Sequence, residues 1–218
     1  MGDRRAMSNS SFVPRLIALT DIERFSQSIL QLERLCKDAQ PRSVAIVLRD
    51  RQMSVRERFG VGVTLRALTQ AFDQMLLVAD RLDLCLALNA DGMHLGSEAV
   101  LPSQVRSHVA WLSSSVHRVE QMGATELALL DAVLVSPTFA ALKGRAALER
   151  TGIERWVAKI RASNILPGPE LYALGGINHR NAPVAIDAGC VGVAGISTFM
   201  DPVRRDALLN VLGLVREI

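Results

Sequence analysis

Aromatic residues are scarce in this chain. Phe, Trp and Tyr together make up 4% of the 218 residues, against 49% for the hydrophobic set as a whole. A core built from such residues is aliphatic. That suits a parallel sheet buried on both faces and covered by helices, and it does not suit an aromatic-rich sandwich. Cysteine is nearly as sparse: Cys36, Cys85 and Cys190 are odd in number, widely spaced and form no CxxC pair. They read as small buried hydrophobes in a reducing cytoplasm rather than as a disulfide framework. No apolar run reaches membrane-spanning length. Residues 1–12 are polar and lack a hydrophobic signal segment, so they are expected to be a disordered tail ahead of a single domain over 13–218. A strong excess of one charge is missing too. The net charge of +3 comes with no basic run interleaved with aromatics, which argues against nucleic acid and fits a small anionic ligand.

What the chain does have is alternation. Short apolar runs occur at 15–20, 43–50, 75–80, 92–96, near 110–117, and at 132–137, 170–176 and 191–197. Amphipathic or apolar-faced stretches lie between them, at 22–39, 64–72, 83–88, 119–122, 152–162, 181–188 and 202–216. Eight strand candidates alternating with about as many helix candidates predict parallel βα units. Two arrangements satisfy that pattern, an eight-stranded barrel and an open doubly wound sheet. The open sheet usually places a glycine-rich turn after its first strand. Here the first strand ends "ALTD", and the glycines gather after strands seven and eight, where eight-stranded barrels commonly bind phosphate. The predicted fold is therefore a (β/α)8 TIM barrel of one domain.

Gly175 and Gly176 follow the seventh strand, and Gly195, Ile196 and Ser197 close the eighth. Glycine lets backbone amides approach an anion without obstruction, a helix start adds its positive end, and Ser197 adds a hydroxyl. Tight turns alone would also explain one glycine pair; two clusters on adjacent strands favour a phosphate site. Arg49 and Arg51 lie two apart at the end of the second strand and so share a face. A structural ion pair with Asp50 is the alternative use for them. The four histidines have no zinc-like spacing, and His94 reads as a core histidine. Residues 56–58 read as a charged loop, either solvated or a lid over the barrel mouth.

Four segments in order resemble the thiamine phosphate synthase/TenI family: "VLRDR" at 47–51, "ADRLDLCLALNADGMHLGSE" at 79–98, "SVH" at 115–117 and "ALGGINHRNAPVAIDAGCVGVAGIS" at 173–197. The resemblance implies a TIM barrel that joins a pyrimidine methyl pyrophosphate to a thiazole phosphate and releases pyrophosphate, with Mg²⁺ and basic groups holding the leaving anion. By the same resemblance, Arg49, Arg51, Ser115 and Lys143 would grip the pyrophosphate. Asp80 would be a magnesium ligand and Glu98 a substitute for a second one. Gly175, Gly176, Gly195, Ile196 and Ser197 would hold the monophosphate. Family members are commonly dimers or higher oligomers, so a homodimer is the implied assembly.

The sequence also departs from the family pattern. Ala79 replaces an asparagine, Ala99 falls in the loop of the second magnesium aspartate, and the loop after strand six lacks the paired threonines, leaving Ser136 or Thr138 as hydroxyl donors. Pro137 stands where the TenI tautomerases place a catalytic histidine. Three functions stay open at this level: the synthase, a TenI-like tautomerase or isomerase of a phosphorylated heterocycle, and a non-catalytic thiazole- or thiamine-phosphate-binding protein that has lost its metal site.

Overall fold

The computed structural model describes residues 13–96, 99–117, 122–139, 149–163, 165 and 168–217. Eight parallel strands close into a barrel in sequence order, with the eighth paired to the first. They are β1 (Leu16–Leu19), β2 (Val44–Leu48), β3 (Met75–Ala79), β4 (Gly92–Leu95), β5 (Trp111–Val116), β6 (Ala132–Val135), β7 (Glu170–Leu174) and β8 (Gly192–Gly195). Each lies within an apolar run of the sequence. The helices are α1 (Ser28–Asp38), α2 (Val55–Ala71), α3 (Leu82–Ala87), α4 (Pro102–Val105), α5 (Ala124–Leu127), α6 (Glu149–Ala162), α7 (Ala182–Asp187), α8 (Ser197–Met200) and α9 (Pro202–Val211). No helix among the described residues is long and apolar enough to cross a membrane.

Strand periodicity divides the core in two. In β2, Val44, Ile46 and Leu48 pack outward under the helices, while Ala45 and Val47 point into the barrel. The outer layer holds most of the Leu, Val and Ile, as well as the buried Trp156 on α6. The barrel interior is filled by Ile17, Leu19, Val47, Leu77, Leu134 and Tyr172, with alanines between them. The Tyr172 hydroxyl donates to the Pro14 carbonyl at 2.6 Å, which ties the bottom of the barrel to the entry of β1. All three cysteines are buried, and burial pushes the Cys36 and Cys190 thiols up to about 12. They therefore pack as hydrophobes.

Residues 56–58 are not a loop. They form the first turn of α2, which begins nine residues before the predicted start. Ser54 and Glu57 make a reciprocal capping box, with the Ser54 hydroxyl accepting from the Glu57 amide and Glu57 accepting from the Ser54 amide. Arg58 turns inward and is buried, donating from Nη2 to the carbonyls of Leu48 at 2.9 Å and Ala79 at 2.6 Å. It thereby satisfies the last carbonyls of β2 and β3, directly below the barrel mouth. At the other extreme, α1 begins only at Ser28, because residues 21–27 form turns leading up to it. The predicted helix at 119–122 falls mostly outside the described residues, and α5 follows it. The expected tail at 1–12 also lies outside them.

Candidate active site

The C-terminal ends of the strands surround a cavity of about 810 Å³. Its size is in the range of a small-molecule site. Arg24, Arg49, Arg51, Arg180 and Arg204 all line it, and among the described residues no carboxylate does. Such a mouth favours a ligand with more than one anionic group.

One end is built by β2, β3, β4 and β5. Arg49 leaves β2 with its amide bonded to the Thr20 hydroxyl at 2.8 Å, and its guanidinium reaches Asp21 at 3.4 Å. Thr20 in turn donates to the Asp50 carboxylate, which also accepts from the Ile22 amide at 2.6 Å. Asp50 is therefore consumed in joining β1 to β2. Neither arginine pairs with it, which corrects that reading of the sequence. Arg51 pairs with Asp80 instead: Nε and Nη2 lie 2.7 and 2.5 Å from Oδ2. The other carboxylate oxygen, Oδ1, accepts from the Gly96 amide at 2.7 Å. Asp80 itself has a left-handed backbone, φ 60°.

Ser115 and His117 project from the end of β5 to the same cavity. His94 points into the barrel from β4 with Nδ1 3.0 Å from the Ser113 hydroxyl and Nε2 2.9 Å from that of Ser115. It is a core histidine, as the sequence indicates, and it also lines the floor of the cavity. Burial holds its pKa down at about 4, so the ring is neutral. His117 bonds the Ser136 carbonyl through Nδ1 at 2.7 Å.

The opposite end is built by β6, β7 and β8. Gly175 and Gly176 have φ of 95° and 66°, a conformation that favours glycine. A Cβ on Gly175 would lie 3.2 Å from the Pro137 Cα. Asn181 donates to the Gly176 carbonyl at 2.8 Å and accepts from the Asn178 amide at 2.8 Å, which fixes the turn into α7. Among the described residues, the amides of Gly176 and Ile177 have no acceptor. Neither do those of Ser197 and Thr198 at the start of α8, as expected for a first helical turn. Gly195 allows α8 to pack back closely, since a Cβ there would come within 3.2 Å of the Thr198 methyl. Gly175, Gly176, Gly195, Ile196 and Ser197 thus meet around one end of the cavity.

Some candidates fall elsewhere. The Thr138 hydroxyl is buried, donating to the Val135 carbonyl at 2.9 Å and accepting from the Leu174 amide at 3.1 Å, so it belongs to the fold. Ser136 does face the cavity. Lys143 and Glu98 lie outside the described residues. Sequence reading missed Arg24, Arg180 and Arg204, which carry no motif. It also missed Asn178 and Asn181, although an Asn just ahead of Ala-Pro is a recognisable helix-start signal. Thr198 was missed as well: it is buried at the mouth, and among the described residues its hydroxyl has no partner.

Magnesium, which the resemblance implies, requires several oxygen ligands in near-octahedral array. Both oxygens of Asp80 are engaged by Arg51 and Gly96. Ala79 contributes no side-chain ligand, and among the described residues no three His, Cys, Asp or Glu side chains converge. The described residues do not fit the ion at this place.

Comparison with known proteins places this geometry. The family model described as thiamine monophosphate synthase matches residues 16–199. A thiamine-phosphate synthase of Koribacter versatilis is 30% identical over 207 residues, covering 91% of this chain and 95% of that protein. One from Archaeoglobus fulgidus is 32% identical over 176 residues, 79% of this chain and 80% of that protein. The solved thiamine phosphate pyrophosphorylase of Pyrococcus furiosus superposes with a TM-score of 0.75 at 24% identity, covering 91% of this chain and 95% of that one, and so shares the barrel fold. The family match runs from the first residue of β1 into α8 and takes in every strand that shapes the mouth; the chain belongs to the thiamine monophosphate synthase family.

Proposed function

We propose that this chain is a thiamine phosphate synthase, a transferase that joins a pyrimidine methyl pyrophosphate to a thiazole phosphate. The observation that carries the proposal is a single cavity with two cationic or amide-rich ends and no carboxylate among its described lining residues. Joining two phosphorylated molecules requires both anions to be held at once, with the reacting atoms between them.

In this reading the open amides of Gly176, Ile177, Ser197 and Thr198 bind the thiazole monophosphate. Arg49, Arg51 and the Ser115 hydroxyl hold the pyrophosphate. As the bond from the pyrimidine methylene carbon to the pyrophosphate oxygen breaks, negative charge grows on the leaving oxygen, and these groups stabilise it where it develops. The thiazole nitrogen then forms the new bond to the methylene carbon. Lys143, which the family resemblance assigns to the same anion, lies outside the described residues. His94 holds Ser115 in place, and burial makes its neutral ring a weak base. No step runs through a metal, because the described ligand set is incomplete.

The test supplies both substrates and follows thiamine phosphate and pyrophosphate release. Product in a one-to-one ratio with pyrophosphate is expected. Tight binding of thiazole phosphate with no product sinks the synthase reading. Exchange between thiazole isomers in the absence of the pyrimidine would then identify an isomerase, and binding alone a ligand-binding protein.

A further inference from the structure

Asp80 and Arg51 are held against each other more firmly than an exposed ion pair requires. The Asp80 carboxylate takes two donors from the guanidinium on Oδ2 and the Gly96 amide on Oδ1. Gly96 makes room for this arrangement, since a Cβ there would sit 2.0 Å from Arg51 Nη2 and 3.3 Å from Asp80 Oδ1. Among the described residues Asp80 is the sole partner of Arg51, so Nη1 is unused, and the side chain is 54% exposed at the cavity. A guanidinium has five N–H donors in a planar fork, so an edge remains to meet phosphate oxygens after the carboxylate is satisfied.

We propose that Arg51, clamped by Asp80, takes the place of the divalent cation on the pyrophosphate side of this cavity, so that the chain binds a pyrophosphate anion without metal. The proposal rests on the synthase reading for the identity of the anion. Its physical basis is competition for one carboxylate. Arg51 fills Oδ2 and the Gly96 amide takes one of the two acceptor sites on Oδ1, so a metal ion would meet at most one remaining site, and a doubly charged ion and a guanidinium on the same carboxylate repel each other. Arg51 also needs no dehydration of the kind magnesium resists. Arg49 from the same strand end adds a second fixed charge.

The experiment measures inorganic pyrophosphate binding to the full chain by calorimetry, in EDTA and in magnesium, with Mn²⁺ titrated separately and followed by electron paramagnetic resonance. Binding in EDTA is expected, changed less than threefold by magnesium. Arg51→Gln, which keeps a polar side chain but is shorter and loses the charge and the donor fork, is expected to weaken it tenfold or more. Asp80→Asn is expected to stay within tenfold of the native chain and to gain no magnesium dependence. No bound Mn²⁺ that Asp80→Asn abolishes is expected. Pyrophosphate binding that appears only with magnesium and is lost in Asp80→Asn overturns the metal-free site and leaves the synthase reading standing. Pyrophosphate that binds under neither condition, beside inorganic phosphate that does bind, overturns both.

Discussion

The Nε2 of His94 lies 2.9 Å from the Ser115 hydroxyl, across the β4–β5 pair, while Ser113 meets Nδ1 at 3.0 Å. A neutral imidazole has one donor and one acceptor nitrogen, so both are used. The environment resists a second proton, and the ring's pKa sits near 4, chiefly through burial. The unfolded chain titrates near the ordinary value of about 6.5. Above that pH neither state holds the proton. Between it and the folded value the unfolded state binds a proton that the folded state refuses, so stability falls as pH falls, by about 3 kcal/mol in total near pH 4. Urea unfolding from pH 8 to 4.5 should show this extra acid loss in the native chain and not in His94→Asn. Equal slopes in the two proteins would rule out a buried neutral ring.

Gly96→Ala tests whether the glycine makes room for the Arg51 guanidinium. Gly96 is not among the positive-φ glycines, so alanine suits its backbone. The new Cβ would lie 2.0 Å from Nη2 at the far end of the half-exposed Arg51 side chain, which can swing away, and 3.3 Å from Asp80 Oδ1, which must give by a few tenths of an ångström. The expected result is a melting temperature within about 2 °C of the native chain, since surface changes of this kind cost little, with pyrophosphate affinity reduced roughly tenfold, as loss of one charge-assisted contact implies. A large loss of stability with unchanged affinity contradicts this account.

Much of the barrel is written locally. Each strand is a short apolar run whose alternate residues serve two cores, and the glycines after β7 and β8 mark the mouth, so runs such as 43–50 and 170–176 are legible on their own. The start of α2 was also legible in Ser54-Val-Arg-Glu57, but Gly60 and Gly62 blur the apolar period that draws attention to a helix. What is not legible depends on closure. Arg51 and Asp80 are 29 residues apart and meet only because β2 and β3 are neighbours. The sequence offers Asp50 as a nearer partner for Arg51, and only the fold shows Asp50 committed to Thr20 and Ile22. Thr198 resembles any threonine in a short helix until packing buries its hydroxyl, which has no partner among the described residues.

Gly175→Ala is expected to damage the fold as well as the site. The backbone there has φ 95°, and the added Cβ would lie 3.2 Å from the Pro137 Cα, which is main chain and cannot simply rotate away. Strain of this kind costs about 1–3 kcal/mol, and for a chain of this size each kcal/mol lowers the melting temperature by roughly 2–4 °C. Calorimetry should therefore register a fall of several degrees. An unchanged melting temperature means that the turn tolerates a side chain and that Gly175 is not conformationally required.

Thr198→Val separates a binding role from a packing role at the monophosphate end. The native residue is only 4% exposed and lines the cavity, and among the described residues its hydroxyl has no hydrogen-bond partner. Replacing an unsatisfied buried hydroxyl by a methyl of similar shape is neutral or stabilising, because a desolvated donor is removed and no bond is lost. Valine should therefore leave the melting temperature unchanged or raise it. If the hydroxyl is kept to donate to the phosphate, affinity for thiazole phosphate should drop about tenfold, the effect of one hydrogen bond to a charged group at roughly 1.5 kcal/mol. Ser197→Ala, at a half-buried position on the same turn, gives the comparison: both losses together place the anion at the first turn of α8. A stabilised Thr198→Val protein with native affinity would instead show that the Thr198 hydroxyl gives nothing to the phosphate, which is then held by the backbone amides.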